Sequence, residues 1–148
     1  FSILALVFLT ACSSQASEVS KKNLNTQTIT LNNKAFILKI ADEDQERQIG
    51  LMNVTNMPKN HGMLFKFPTS EPRSFWMKNT EIPLDIIFIN EQKQIINIHY
   101  NTPPCKETDT TQKKCPLYLS SKPAKYAIEL NAGQAESLNL QPKQQLEF

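Results

Sequence analysis

Five side chains in this sequence are of types that could hold a polar ligand: Arg47, Trp76, Lys78, Asn79 and Asp85. Asp85 is the most informative. It stands between Leu84 and the apolar run Ile86-Ile87-Phe88-Ile89, where a carboxylate without a partner would be costly. Arg47 or Lys78 could supply the compensating charge, making Asp85 one end of a structural ion pair between helix and sheet. Gathered with Asn79 in one pocket, the same groups would instead grip an anionic or sugar-like ligand. A few convergent polar groups in an apolar pocket are what orient a ligand. Trp76 alternates with Phe75 and Met77, so its side chain leaves a strand on the opposite face from theirs. That face is either a second core or a stacking platform at a pocket mouth.

Catalysis finds little support. The chain has no Gly-x-Ser-x-Gly elbow, no His-Glu-x-x-His, no phosphate-binding glycine loop and no dinucleotide fingerprint. Nothing places a second catalytic group opposite Asp85, so no catalytic residue and no cofactor is assigned. Met52, Met57, Met63 and Met77, with His61 and His99, raise copper binding as an alternative, since thioethers select Cu(I). Yet Met52, Met63 and Met77 fall where helix or strand patterning wants core, and no Met-x-Met or His-x-Met cluster occurs. No metal ligand is assigned. His61 is expected in a solvent-facing turn and His99 at an exposed strand position.

Charge narrows the partners. The 16 Lys and Arg nearly cancel the 14 Asp and Glu, leaving a formal net charge of +2 over 148 residues. That balance argues against a bulk electrostatic grip on nucleic acid or acidic membranes. Every one of these charges lies at or after Glu18.

The first eleven residues, FSILALVFLTA, are uncharged and too few to span a bilayer, which takes about 20. Residues 1–11 suit the apolar core of a secretory signal, incomplete at its N-terminus. Leu9-Thr10-Ala11-Cys12 resembles a bacterial lipobox, which implies cleavage before Cys12 and lipidation of that residue. Ser13 in the next position resembles the lipoproteins sorted to the outer membrane. Ser13 to about Thr26 is polar and reads as a tether, so residues 12–26 are assigned as lipidated Cys and linker, and 27–148 as one domain. Beyond Cys12 remain Cys105 and Cys115, an even pair in a Pro/Thr/Lys-rich segment. In an exported protein they read as a disulfide.

The elements that must position these residues are short. Thr28–Leu31 and Ala35–Ile40 alternate around Asn32-Asn33, a hairpin signal. Asp42 is expected to cap a helix over about residues 43–50, with Gln45 at the third helical position. Strands are predicted at Met63–Phe67, ended by Pro68, at Ser74–Lys78, and at Leu84–Ile89, the last apolar on both faces and therefore central. Another runs Ile95–Tyr100, with Ile96, Ile98 and Tyr100 on one face. Tyr126, Ile128 and Leu130 mark a further strand, residues 132–138 one or two helical turns, and Gln145–Phe148 a closing strand. The fold class is β-rich α+β: a small curled, mostly antiparallel sheet or partly closed barrel of seven or eight short strands with one or two short helices.

The order of motifs resembles domain-of-unknown-function family 192 (DUF192). It is carried by Arg47, Gly50-Leu51-Met52, Gly62-Met63-Leu64-Phe65, the Phe75-Trp76-Met77-Lys78-Asn79-Thr80 segment and Ile82-Pro83-Leu84-Asp85. The Pro104-Cys105 to Cys115-Pro116 loop and the stretch from Pro123-Ala124 through Glu129-Leu130 to Ala132-Gly133 complete it. The resemblance implies a compact β-rich domain, often exported, with no established biochemical role. One departure is Lys143-Gln144, where the family commonly has Gly-Asp. The resulting expectation is an outer-membrane lipoprotein facing the periplasm. Its domain would be a non-catalytic binding module for an envelope component, a small polar ligand, a glycan or a protein. An enzyme acting on envelope polymers and a periplasmic copper-binding protein are the alternatives.

Overall fold

The computed structural model describes residues 23–106 and 114–148. The expected secretory signal, Cys12 and most of the expected tether lie outside the described residues. Strand β1 (Thr26–Leu31) begins where the tether was expected to end, and Leu24 just before it already packs on the core. It turns into β2 (Lys34–Ala41) through Asn32 and Asn33, both left-handed at φ 42° and 65°. A two-residue turn of that hand matches the twist of a hairpin, and Asn tolerates it.

Helix α1 (Asp44–Ile49) starts one residue later than expected. Glu43, not Asp42, is the cap: its side chain accepts the Glu46 N–H, and Glu46 Oε2 accepts the Glu43 N–H at 3.1 Å. The reciprocal pair satisfies two orphan donors at once. Gly50 ends the helix at φ 48°.

β3 (His61–Glu71) runs past Pro68 instead of stopping there. The ladder to its neighbour loses register between Lys66 and Glu71, so the proline sits where no N–H is required of it. His61 therefore opens a strand rather than sitting in a turn. Then follow β4 (Ser74–Trp76), β5 (Leu84–Ile89), β6 (Ile95–Thr102), β7 (Leu117–Leu119), β8 (Ala124–Asn131) and α2 (Gln134–Ser137). Strand β7 is too short to show in the sequence pattern.

The main sheet has the order β1-β2-β3-β8-β5-β6, and β4 pairs with β7 in a separate two-stranded sheet. Only β2 and β3 run parallel; the other pairs are antiparallel. The described strands form no closed barrel. Instead of a closing strand, residues 145–147 make single bridges, Gln94 to Gln145 and Thr30 to Glu147, that reach both sheet edges. Lys143, in place of the family's glycine, takes φ 73° and donates its N–H to the Ile95 carbonyl at 2.8 Å.

Both sheet faces are covered. One packs Phe36, Leu38, Leu64, Ile87 and Ile128 under α2 and the C-terminal segment. The other packs Met63, Phe65, Ile86, Phe88 and Ala127 under Leu51, Met77 and the β4–β7 layer. β5, entirely buried, serves both, as its run of apolar residues on alternate sides requires. In β6 a bulge at Ile96, between Ile95 and Asn97, sends Ile96 to the second core, while Ile98 stays with the first. His99 is half-buried rather than exposed: its Nε2 lies 2.8 Å from the Leu119 carbonyl and its ring 5.4 Å from Tyr118. It fastens the β4–β7 layer to the main sheet.

Candidate functional site

Over the second core lies a cleft of about 510 Å³ between α1, the far half of β3 and strand β4. Its walls are aromatic because β4 turns Phe75 inward, where the ring meets Phe65 edge-on at 4.9 Å and Phe88 at 5.2 Å. Trp76, on the outward side of the same strand, is 45% exposed at the cleft. Trp76 thus lies at the cleft surface and not in the second core. The Lys78 ammonium stands 5.1 Å from the indole centroid, within cation–π range.

Two arginines fix the opposite wall. Arg47, in the last turn of α1, donates to the carbonyls of Asp42 and Lys66 and pairs with Asp44. Arg73 donates to Thr69 and to the Ala124 carbonyl. Both guanidinium groups lie over Phe67, at 5.6 and 4.1 Å from its centroid. Their acidic neighbours point outward: Arg47 is 12% exposed against 92% for Asp44, and Arg73 18% against 59% for Glu71.

The buried side of the cleft holds a carboxyl that sequence patterning did not single out. Glu129, on β8, is 4% exposed and lines the cleft. Its ladder neighbours are Met63 and Ile86, both apolar. Among the described residues no side-chain hydrogen bond or ion pair meets it. Burial alone pushes its pKa up to about 8, so the group is mostly protonated at neutral pH. Gly62 allows the close approach of β3 to this point of β8, since a Cβ there would run into the Glu129 carbonyl oxygen.

Of the five residues singled out in the sequence, Arg47, Trp76 and Lys78 meet at this cleft, whereas Asn79 and Asp85 are not among its lining residues. Asn79 makes a left-handed turn at φ 54°, with its N–H on the Cys105 carbonyl at 2.9 Å and its carbonyl accepting from Asn53. Asp85 is fully buried on β5 and accepts the N–H of Asn101 at 2.9 Å and that of Ala135 at 2.8 Å. Backbone amides, rather than Arg47, hold its carboxylate. Cys105 and Cys115 form the expected disulfide. Cys105 also bridges to Lys78 and Thr80, and Cys115 leads into β7, so the bond braces the wall that carries Trp76. Met63 and Met77 are core residues, and among the described residues no cluster of His, Cys, Asp and Glu could hold a metal.

Residues 26–148 match DUF192, described as an uncharacterized ACR. The chain belongs to this family. A putative transcription regulator from Sinorhizobium meliloti is 34% identical, covers 82% of this DUF192 chain and 90% of its own, and superposes with a TM-score of 0.68. A protein of unknown function from Novosphingobium aromaticivorans is 29% identical over 88% of this chain and 89% of its own, with a TM-score of 0.71. No curated protein matches the DUF192 chain.

Proposed function

We propose that this protein is a non-catalytic binding module of the bacterial envelope, lipid-anchored through Cys12, whose cleft takes a saccharide of an envelope polymer. The observation that carries this reading is the half-exposed Trp76 face at the mouth of a cleft whose other wall presents Arg47 and Arg73. An indole face packs against the C–H face of a pyranose ring. Fixed guanidinium donors suit ring hydroxyls and their oxygens. The cleft falls in the size range of small-ligand sites, about 300–1,000 Å³. The polar stretch after Cys12 would let the domain reach material away from the membrane.

The description of the Sinorhizobium protein as a putative transcription regulator is not extended to this chain, whose net charge of +2 offers no strong electrostatic footprint for DNA. A second reading, an enzyme acting on envelope polymers, is favoured by Glu129 alone, a protonated acid in an apolar setting such as general acids occupy. Release of reducing ends from purified envelope glycans would establish it.

The test of the binding reading is a glycan array probed with the full chain, wild type beside Trp76→Ala. Retention of envelope glycans by wild type, lost in Trp76→Ala, is the expected result. Equal retention by both would show that the cleft is not the binding surface.

A further inference from the structure

Resting on the saccharide reading, we propose that the cleft is specific for an acidic sugar, with the sugar carboxylate held by Arg47 and Arg73 and Glu129 donating its own proton to the ligand in a hydrogen bond. Three observations carry this. The first is the layering of charge. Five charged side chains besides Glu129 face the cleft: Asp44 and Arg47 from α1, Glu71 and Arg73 from β3 and the turn after it, and Lys78 beyond β4. The two guanidinium groups lie inward and the two acids outward in solvent. Outer charges are screened by water while inner ones act at low dielectric, so the interior field is positive.

The second is donor capacity. Each guanidinium has five N–H donors. Among the described residues, the bonds of Arg47 to Asp42, Lys66 and Asp44 leave its Nε without an acceptor, and those of Arg73 leave an Nη1 hydrogen in the same state. Both side chains are held rigid over Phe67, so little freedom is lost when a carboxylate arrives.

The third is Glu129, a buried carboxyl open to the cleft with no protein partner among the described residues. Its register neighbours on the flanking strands, Met63 and Ile86, are both apolar. A structural role would have provided it with a partner. In its neutral form, favoured by burial up to about pH 8, it is an O–H donor that can approach an anionic oxygen. Once ionised it would repel the same ligand. A cationic amino sugar would be repelled by Arg47 and Arg73, and a neutral sugar would leave their donors to its hydroxyls alone.

Calorimetric titration of the full chain with three sugars of one ring shape separates these cases: glucuronate, glucose and glucosamine, anionic, neutral and cationic at about pH 6. Glucuronate is expected to bind most tightly and glucosamine least. Between about pH 6 and pH 9 the glucuronate affinity of wild type should fall about tenfold as Glu129 ionises. Glu129→Gln keeps shape and an N–H donor without titrating, so its affinity should stay level over that range. Glucose or glucosamine binding as well as glucuronate, or a level pH profile in wild type, overturns the acidic-sugar assignment and leaves the saccharide reading in place. Silence toward all three sugars, with glycans retained on the array, also overturns this assignment alone. Silence in both experiments removes both. The wild-type pH profile decides even if Glu129→Gln fails to fold.

Discussion

Asp85 on β5 accepts the Ala135 N–H of α2 at 2.8 Å across fifty residues of chain, while its second oxygen holds the Asn101 N–H of β6. One buried carboxylate thus pins the start of a four-residue helix to the central strand. A helix that short has no stability of its own and depends on such tertiary ties. Asp85→Asn turns one acceptor oxygen into a donor facing another donor. The expected loss is about 2–3 kcal/mol, the scale of a hydrogen bond to a charged group. It should appear in urea denaturation as a lower midpoint at unchanged slope, with glycan binding retained.

Glu129→Gln should do the opposite above neutrality. The folded chain keeps the Glu129 proton up to about pH 8, whereas the unfolded chain releases it near the ordinary 4.5. Between these values the folded state binds more protons. Wild-type stability should therefore fall by up to about 1.4 kcal/mol per pH unit from 4.5 to 8, then level off. In Glu129→Gln that slope should vanish, leaving the variant the more stable protein at pH 8 and above. Urea midpoints collected across this range check the sign.

Loss of the disulfide should be felt at Trp76 before the rest of the fold. Cys105→Ala with Cys115→Ala removes a cross-link worth roughly 2.8 kcal/mol for a loop of this length in the chain-entropy account. β7 is otherwise held by three ladder pairs to β4 and by the contacts of Asn97 and His99 with Leu119. Hydrogen exchange should rise at Ser74–Trp76 and Leu117–Leu119 in the double variant and change little in β5.

Much of the fold is legible in sequence because its cues are local. Asn32-Asn33 announces the hairpin, and the unbroken apolar run of β5 announces a strand buried on both sides. The helix start is visible too, but its cap is not: Asp42 with Gln45 fits the pattern, whereas the reciprocal bonds of Glu43 with Glu46 put the capping box one residue later. The site is less legible. Arg47, Trp76 and Lys78 stand out as polar or aromatic groups among apolar ones. Glu129 does not, because it occupies the alternate position between Ile128 and Leu130, where a solvent-facing acid is ordinary. What buries it is the β4–β7 layer, formed by a three-residue strand that periodicity cannot show. Small residues on the same face, Ala124 and Ala127, were the available hint that this face is covered. Asp85 shows the converse: its need for a partner is plain in the sequence, but backbone amides of distant segments carry no sequence signature.

The anchor is tested separately. Cys12→Ser should end incorporation of labelled fatty acid and move the protein out of the membrane fraction. Label that persists in the variant would remove the lipid anchor from the proposal.

Trp76 is the sole tryptophan of the chain, so its fluorescence reports on the cleft without interference. Titrating the full chain with an acidic oligosaccharide such as oligoglucuronate at pH 6 should shift and quench this emission saturably. Arg73→Ala should weaken the response by tenfold or more, on the order of 1.4 kcal/mol. Emission unchanged while the sugar binds, or saturation unaffected by Arg73→Ala, would contradict a saccharide site in the cleft between α1, β3 and β4.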